Sequence, residues 1–132
     1  MRCPPSAAEH ERGSAVVDFV LVMVVLVPLV LGIAQVGLVL HVRNTLTAAA
    51  SDGARAAAPL DATTGDGVER ARELIRGGLA DRYAEDVSAS ITSRGGVPVT
   101  EVVVHARVPA LGILGPTIEL TTKGHAVLEV AP

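Results

Sequence analysis

Residues 13–40 read Gly13-Ser-Ala-Val-Val-Asp18-Phe-Val-Leu-Val-Met-Val-Val-Leu-Val-Pro28-Leu-Val-Leu-Gly-Ile-Ala-Gln35-Val-Gly-Leu-Val-Leu40. From Phe19 onward this stretch has no charged residue, and Gln35 is its only strongly polar side chain. A core helix of a soluble protein would show a polar face with a period of 3.6 residues. About 20 apolar residues at about 1.5 Å each instead match the roughly 30 Å hydrocarbon core of a bilayer. The stretch therefore predicts a membrane-spanning helix over about residues 15–40.

An acid, Asp18, stands at the start of the apolar run. A charged side chain costs about 2.5–3.5 kcal/mol at the centre of a membrane helix, and less near its end. Two explanations remain open. The carboxylate could lie at headgroup depth near the positive end of the helix dipole, or it could find a partner when subunits assemble.

Helical character continues beyond Leu40. Residues 41–58 are rich in alanine, and Pro59 provides a stop, so one helix is expected from about Ser14 to Ala58. Pro28 removes a backbone hydrogen bond from its apolar half and predicts a bend. Mostly small residues recur at spacings of three and four in the second half and predict a smooth face for close packing: Leu46, Ala49, Ala50, Gly53, Ala54 and Ala57.

Residues 59–132 predict a small α+β head. After a linker, Leu60 to Gly65, we expect a second helix from an N-cap at Asp66, with Glu69 three residues later, to about Ala84. Three alternating runs then predict an antiparallel sheet of three strands with one buried face, and Arg94-Gly-Gly-Val-Pro98 predicts a hairpin. The inward sets are Val87, Ala89 and Ile91; Val102, Val104, Ala106 and Val108; and Ile118, Leu120, Thr122, Gly124, Ala126, Leu128 and Val130.

The connection between the second and third strands, Pro109-Ala-Leu-Gly-Ile-Leu-Gly-Pro116, is apolar where a polar loop is usual. One interpretation is that it folds back over the end of the small core. The other is that it touches the membrane or another protein, because exposed apolar patches often mark contacts.

The N-terminal sequence resembles a known family. A polar leader, Gly13, four residues, Asp18 and Phe19 resemble the processing site of type IV prepilins. Leu31-Gly-Ile-Ala-Gln-Val-Gly37 and His41-Val-Arg-Asn-Thr-Leu-Thr-Ala-Ala-Ala-Ser-Asp-Gly-Ala-Arg-Ala-Ala57 narrow the resemblance to TadE-like minor pseudopilins of tight-adherence (Flp) pilus systems. The resemblance covers about the first 58 residues and implies a pilin-like fold.

This resemblance implies that residues 1–13 are a leader removed by a prepilin peptidase, with Ser14 becoming the new N-terminus. Asp18, where the family usually has Glu, would then pair with the new amine of a neighbouring subunit. Pro28 would provide the bend common in the family. Gly32, Ala34 and Gly37 would allow close helix packing in lipid, which favours small residues.

The implied protein is a pilus assembly subunit in the cytoplasmic membrane, single-pass, with its head outside and a role in adhesion or secretion. Its partners would be the peptidase, other pilins and pseudopilins, the pilus assembly platform and membrane lipid. Whether it enters the filament or only initiates assembly stays open. One alternative is a generic signal-anchored protein whose small extracytoplasmic head binds a ligand, and another is a secreted domain released by a cut near Ser51.

Other classes of function are disfavoured by composition and spacing. A net charge of −3 and an aromatic content of 2% argue against nucleic acid as a partner. The four histidines and Cys3 have no metal-ligand spacing, and no phosphate loop or nucleophile elbow occurs, so we expect neither cofactor nor metal and no enzyme. His105 and His125 lie in outward sets of their strands and could be cross-strand neighbours.

Overall fold

The computed structural model describes residues 7–111 and 115–132. It has two α-helices, α1 (Ala7–Ala56) and α2 (Thr64–Gly78), a short 3-10 helix (Asp81–Ala84), and strands β1 (Asp86–Arg94), β2 (Val97–Val108) and β3 (Ile118–Val127). The strands form one antiparallel sheet in the order β1-β2-β3. The predicted α+β class, with one long helix, one short helix and three antiparallel strands, is confirmed.

Helix α1 begins at Ala7 rather than at Ser14, so the predicted start was seven residues late. It runs through Pro28 as a continuous α-helix and ends at Ala56, three residues before Pro59. This end follows from sterics, because a proline disfavours helical conformation in the residue before it. The first six residues of the expected leader, including Cys3, lie outside the described residues.

The second half of α1 forms the core of the head. It packs across β3 and β2, while α2 packs beside it against β1. The predicted face is confirmed, because Leu46, Ala49, Ala50 and Ala54 of α1, and Ala57 just after its end, are at most 2% exposed. Val42, which the prediction did not include, is 1% exposed and extends the same face by one turn. From α2 and the strands come Ala71, Ile75, Val87, Val102, Val104, Ala106 and Val108.

Glycines lie where the helices and the sheet come closest to one another in this core. A Cβ atom on Gly53 would lie 2.6 Å from the Gly67 carbonyl oxygen, so α1 and α2 cross backbone to backbone. A Cβ atom on Gly124 would overlap the Ala50 carbonyl, so β3 lies directly on α1. The head therefore depends on small residues where its layers touch.

The start of α2 corrects a prediction. The N-cap is Thr63, and Asp66 is the N3 residue of a capping box. Asp66 Nα donates to Thr63 Oγ1 over 3.3 Å, and Thr63 Nα donates to Asp66 Oδ2 over 2.6 Å. The Thr63 hydroxyl also donates to Asp66 Oδ2, over 2.7 Å. Because the Thr63 backbone N–H, followed by this hydroxyl, bonds the ionised carboxylate, the pKa of Asp66 lies below its ordinary value of 3.8. The helix ends at Gly78 and a 3-10 turn follows, so the expected continuous helix to Ala84 was also wrong.

The strand predictions hold with differences at the ends. Gly95 and Gly96 form the predicted hairpin with φ of 60° and 83°, a conformation that suits glycine. Ile91 is 61% exposed although it shares the inward set of β1. Strand β3 ends at Val127, so Leu128 and Val130 lie beyond it, and Val130 is 72% exposed.

Candidate functional site

The most unusual surface of the molecule is the N-terminal half of α1. Helix α1 is long and apolar enough to cross a membrane, and its most apolar window, with a mean hydropathy of 2.9, has no buried residue. A core helix of a soluble protein would be mostly buried, whereas buried residues of α1 begin at Val42 and lie on one face of its second half. The uncovered residues 14–34 would span about 30 Å as an α-helix, the thickness of a hydrocarbon core.

The predicted processing residues lie at the beginning of this uncovered part. Gly13 and Ser14 are exposed positions within α1, about two turns after its first residue. Asp18 is also exposed and follows Ser14 by four residues, which puts the two on the same face of the helix. A charged group at Ser14 and the carboxylate of Asp18 would therefore be neighbours on one helix.

The predicted packing residues occupy two sides of α1. Gly32 follows Pro28 by one turn and forms a shallow apolar groove with it, and a Cβ atom on Gly32 would touch nothing within 4 Å. Ala34 and Gly37 are three residues apart and share another side, since positions two and five residues from Gly32 face away from it. The three small residues are all exposed, but they do not form a single patch.

Gln35 makes a long-range contact that the sequence did not indicate. Its Nε2 donates to the Pro109 carbonyl oxygen over 3.2 Å, and its Oε1 accepts from the Leu111 amide nitrogen over 2.7 Å. The beginning of the apolar connection after β2 thus folds back onto α1. Gly112, Ile113 and Leu114 of this connection lie outside the described residues.

The outer face of the sheet carries a cluster of charged groups. Glu101 Oε2 lies 2.6 Å from His125 Nε2, and Glu101 Oε1 accepts from Lys123 Nζ over 3.2 Å. The hydrogen bond from His125, followed by that from Lys123, lowers the pKa of Glu101 below its ordinary value of 4.5. His105 lies opposite Thr121 and bonds it over 3.0 Å, while His125 lies opposite Glu101. The two histidines are therefore not opposite each other across the strands, an arrangement that the sequence had left open.

A cleft of about 620 Å³ lies at one end of the sheet, beside the 3-10 helix. Arg107 and Glu119, which line the cleft from adjacent strands, pair over 3.1 Å, with both side chains more than 70% exposed. Among the residues that the structure describes, no group of three or more His, Cys, Asp or Glu could hold a metal ion. The uncovered half of α1 is therefore the surface that most needs a partner.

Comparison with known proteins bears on the same segment. The family model described as TadE-like protein matches residues 13–55, which is less than half of the chain. The match spans the uncovered half of α1 and almost all of the part that enters the head, and it ends before α2. No curated protein and no solved structure matches the chain.

Proposed function

Since the chain is TadE-like over residues 13–55, we propose that it is a minor pseudopilin of a tight-adherence (Flp-type) pilus system. The family match supports an association with Tad pili and an N-terminal membrane helix. The finer role proposed is that of a single-pass assembly subunit of the cytoplasmic membrane, with its leader in the cytoplasm and its head outside, which helps to build a pilus used in adhesion or secretion.

One observation carries the proposal: an apolar half-helix that its own protein leaves uncovered. Nearly every large side chain from Val16 to Ile33 is at least 41% exposed. At about 25 cal/mol per Å² of apolar surface, leaving such a helix in water would cost far more than a small domain's stability of about 5–15 kcal/mol. Lipid, and the helices of other pilus subunits, are the partners proposed to cover it.

Processing after Gly13 is the next step of the proposal. Cleavage by a prepilin peptidase would give Ser14 a free ammonium group one helical turn before Asp18. Within one chain these groups are neighbours, and in an assembly the carboxylate would pair with the ammonium of an adjacent subunit. Asp18 would then be tolerated in lipid because it is paired, whereas one partner left alone in a buried pair costs about 3–5 kcal/mol.

Helix packing supplies the rest of the proposed interface. The groove at Pro28 and Gly32 would receive a side chain of a neighbouring helix, and Ala34 and Gly37 would allow a second helix to approach from another side. In this role the protein works by binding other subunits and the assembly platform. We therefore propose a structural subunit rather than an enzyme.

Mass spectrometry of the native protein tests the processing. A pseudopilin should begin at Ser14, a signal-anchored protein should retain Met1, and a secreted domain should begin near Ser51. Retention of the first 13 residues in cells with an active prepilin peptidase would overturn the proposal.

Substitution of the acid tests the pairing. We expect Asp18→Ala to be processed normally but to enter the pilus complex at least severalfold less, as measured by co-purification with other subunits. Asp61→Ala, which removes an exposed acid from the linker before α2, is the matched control and should assemble like the wild type. Equal incorporation of the two variants into the pilus complex would contradict the proposed pairing role of Asp18.

A further inference from the structure

The loop after β2 contacts α1 at Gln35, so part of the head lies at the same level along the helix axis as the apolar run. An amide side chain in hydrocarbon without partners costs roughly 2–7 kcal/mol. Gln35 avoids this cost because both ends of its amide bond the backbone of Pro109 and Leu111. The same two bonds satisfy a carbonyl and an N–H of the loop, which would otherwise be as costly in lipid as the side chain.

The level of this contact along α1 can be read from the sequence. Gln35 precedes Leu40, the last residue of the apolar run, by five residues, or about 7.5 Å of helix. The first ionisable side chain after the run is His41, about 9 Å from Gln35 along the axis. The loop residues bonded to Gln35 therefore lie on the apolar side of the point where charged residues resume.

The exposed surface at this level is apolar on both chain segments. On α1, Val36 is 60% and Leu40 is 51% exposed. On the loop, Leu111 is 43% exposed and Pro109 is exposed too. The base of the head, defined here as Pro109, Ala110 and Leu111, is thus continuous with the uncovered apolar surface of α1.

We propose that the base of the head is a second membrane contact, seated in the interfacial region of the leaflet from which α1 emerges. Amphipathic segments at this depth bury their apolar side about 5–10 Å into the boundary between headgroups and acyl chains. Gln35 is the positioning residue, because its two bonds hold the loop against α1. The head would then have a fixed orientation on the lipid surface. This inference rests on the membrane span proposed above.

A fluorescent probe at Leu111 tests the contact. Cys3 is the only cysteine, so Cys3→Ser with Leu111→Cys allows single-site labelling with NBD in the full chain. The chain is reconstituted in phosphatidylcholine and phosphatidylglycerol vesicles that contain lipids spin-labelled near the headgroup. Val97→Cys is the matched control, since Val97 is 45% exposed and begins β2, whose other end, about 36 Å along the strand, leads into the loop that carries Leu111.

We expect the spin-labelled lipid to quench the Leu111 probe severalfold more than the Val97 probe, and aqueous iodide to do the reverse. Adding Gln35→Ala should reduce the lipid quenching at Leu111, because the loop is released from α1. Should that variant fail to fold, the comparison of Leu111 with Val97 decides alone. Equal lipid quenching at both positions would overturn the proposal.

Two further outcomes separate the alternatives. A Leu111 probe that neither lipid nor iodide quenches would be covered by protein, which also overturns the lipid contact. A third probe, introduced by Val25→Cys, reports on the span itself through lipids spin-labelled deep in the acyl chain. Quenching at Val25 without quenching at Leu111 rejects only the second contact, whereas no quenching at Val25 rejects the membrane span.

Discussion

Gln35 and Asp18, the two strongly polar side chains in the apolar half of α1, differ in where their hydrogen-bond or charge partners come from. Gln35 finds both of its hydrogen-bond partners within its own chain, at Pro109 and Leu111. Asp18 lies nearly five turns earlier, on a part of the helix that the head does not reach, and it is exposed. Because Gln35 is hydrogen-bonded within its own chain, it needs no partner from another subunit. The proposed pairing with a neighbouring subunit therefore concerns Asp18 alone.

Glu101 makes stability depend on pH at the residue scale. Its pKa in the folded protein lies below 4.5, so folding favours the carboxylate. This stabilisation is complete above the unfolded-state pKa and disappears as the pH falls through the lower folded-state pKa. We expect Glu101→Gln to be less stable than the wild type at pH 7, with the difference shrinking as the pH falls below about 4.5.

Urea unfolding of the full chain in detergent micelles, followed by circular dichroism at several pH values, measures this difference. The control is Glu119→Gln, because the pair that Glu119 forms with Arg107 is exposed on both sides and should contribute little. A wild-type advantage over Glu101→Gln that stays constant down to pH 3 would contradict the assignment to Glu101.

At the scale of elements, two glycines of α2 should respond oppositely to alanine. A Cβ atom on Gly67 would lie 2.7 Å from the Gly53 carbonyl oxygen and 2.8 Å from the Ala57 Cβ, so Gly67→Ala forces α1 and α2 apart. We expect a loss of about 1–3 kcal/mol in unfolding free energy. A Cβ atom on Gly77 would meet nothing within 4 Å, and Gly77→Ala should gain about 0.5–1 kcal/mol from helix propensity.

Thermal or urea unfolding measures the unfolding free energy of both variants relative to the wild type. Gly77→Ala is the matched control for Gly67→Ala. If Gly67→Ala were as stable as Gly77→Ala, the backbone-to-backbone crossing of α1 and α2 would not be a real constraint.

The spacing of apolar residues along the sequence predicted most helices and strands, because an element that buries one face must repeat apolar residues at the period of that element. The alternation of Val102, Val104, Ala106 and Val108 predicted strand β2. The small residues in the second half of α1 predicted which face of that helix packs in the core. The start of α2 was misassigned because Thr63 and Asp66 can both cap a helix, and backbone conformation decides between them. The Gln35 contact could not be read from the sequence, since its partners are 74 and 76 residues away and no local pattern connects them.

For the whole molecule, the division of α1 between an uncovered half and a core half predicts where the chain can be cut. A chain beginning at Ser51 would lack Val42, Leu46, Ala49 and Ala50, which are at most 2% exposed in the core. Truncating one large core side chain costs about 2–5 kcal/mol, and this chain would lose Val42 and Leu46 together with most of the helix segment that packs on β3 and β2, a loss comparable to the stability of a small domain. We expect such a chain to be unfolded and a chain beginning at Val36 to keep its fold.

Circular dichroism and amide exchange of the two truncated chains check this prediction. Cooperative unfolding of the shorter chain would contradict the core assigned to α1 and would restore the secreted-domain alternative. Unfolding of both chains would mean that the contact between Gln35 and the loop is also needed for the fold.

Helix α1 runs without a loop from Ser14, seven residues after its first residue, to the residues that contribute to the core of the head. A rotation or axial displacement that a neighbouring helix applies to the apolar half would therefore be passed to the sheet through the helix itself, because no loop lies between them to absorb it. The orientation of the outward surface of the head would thereby depend on which helices contact the apolar half of α1.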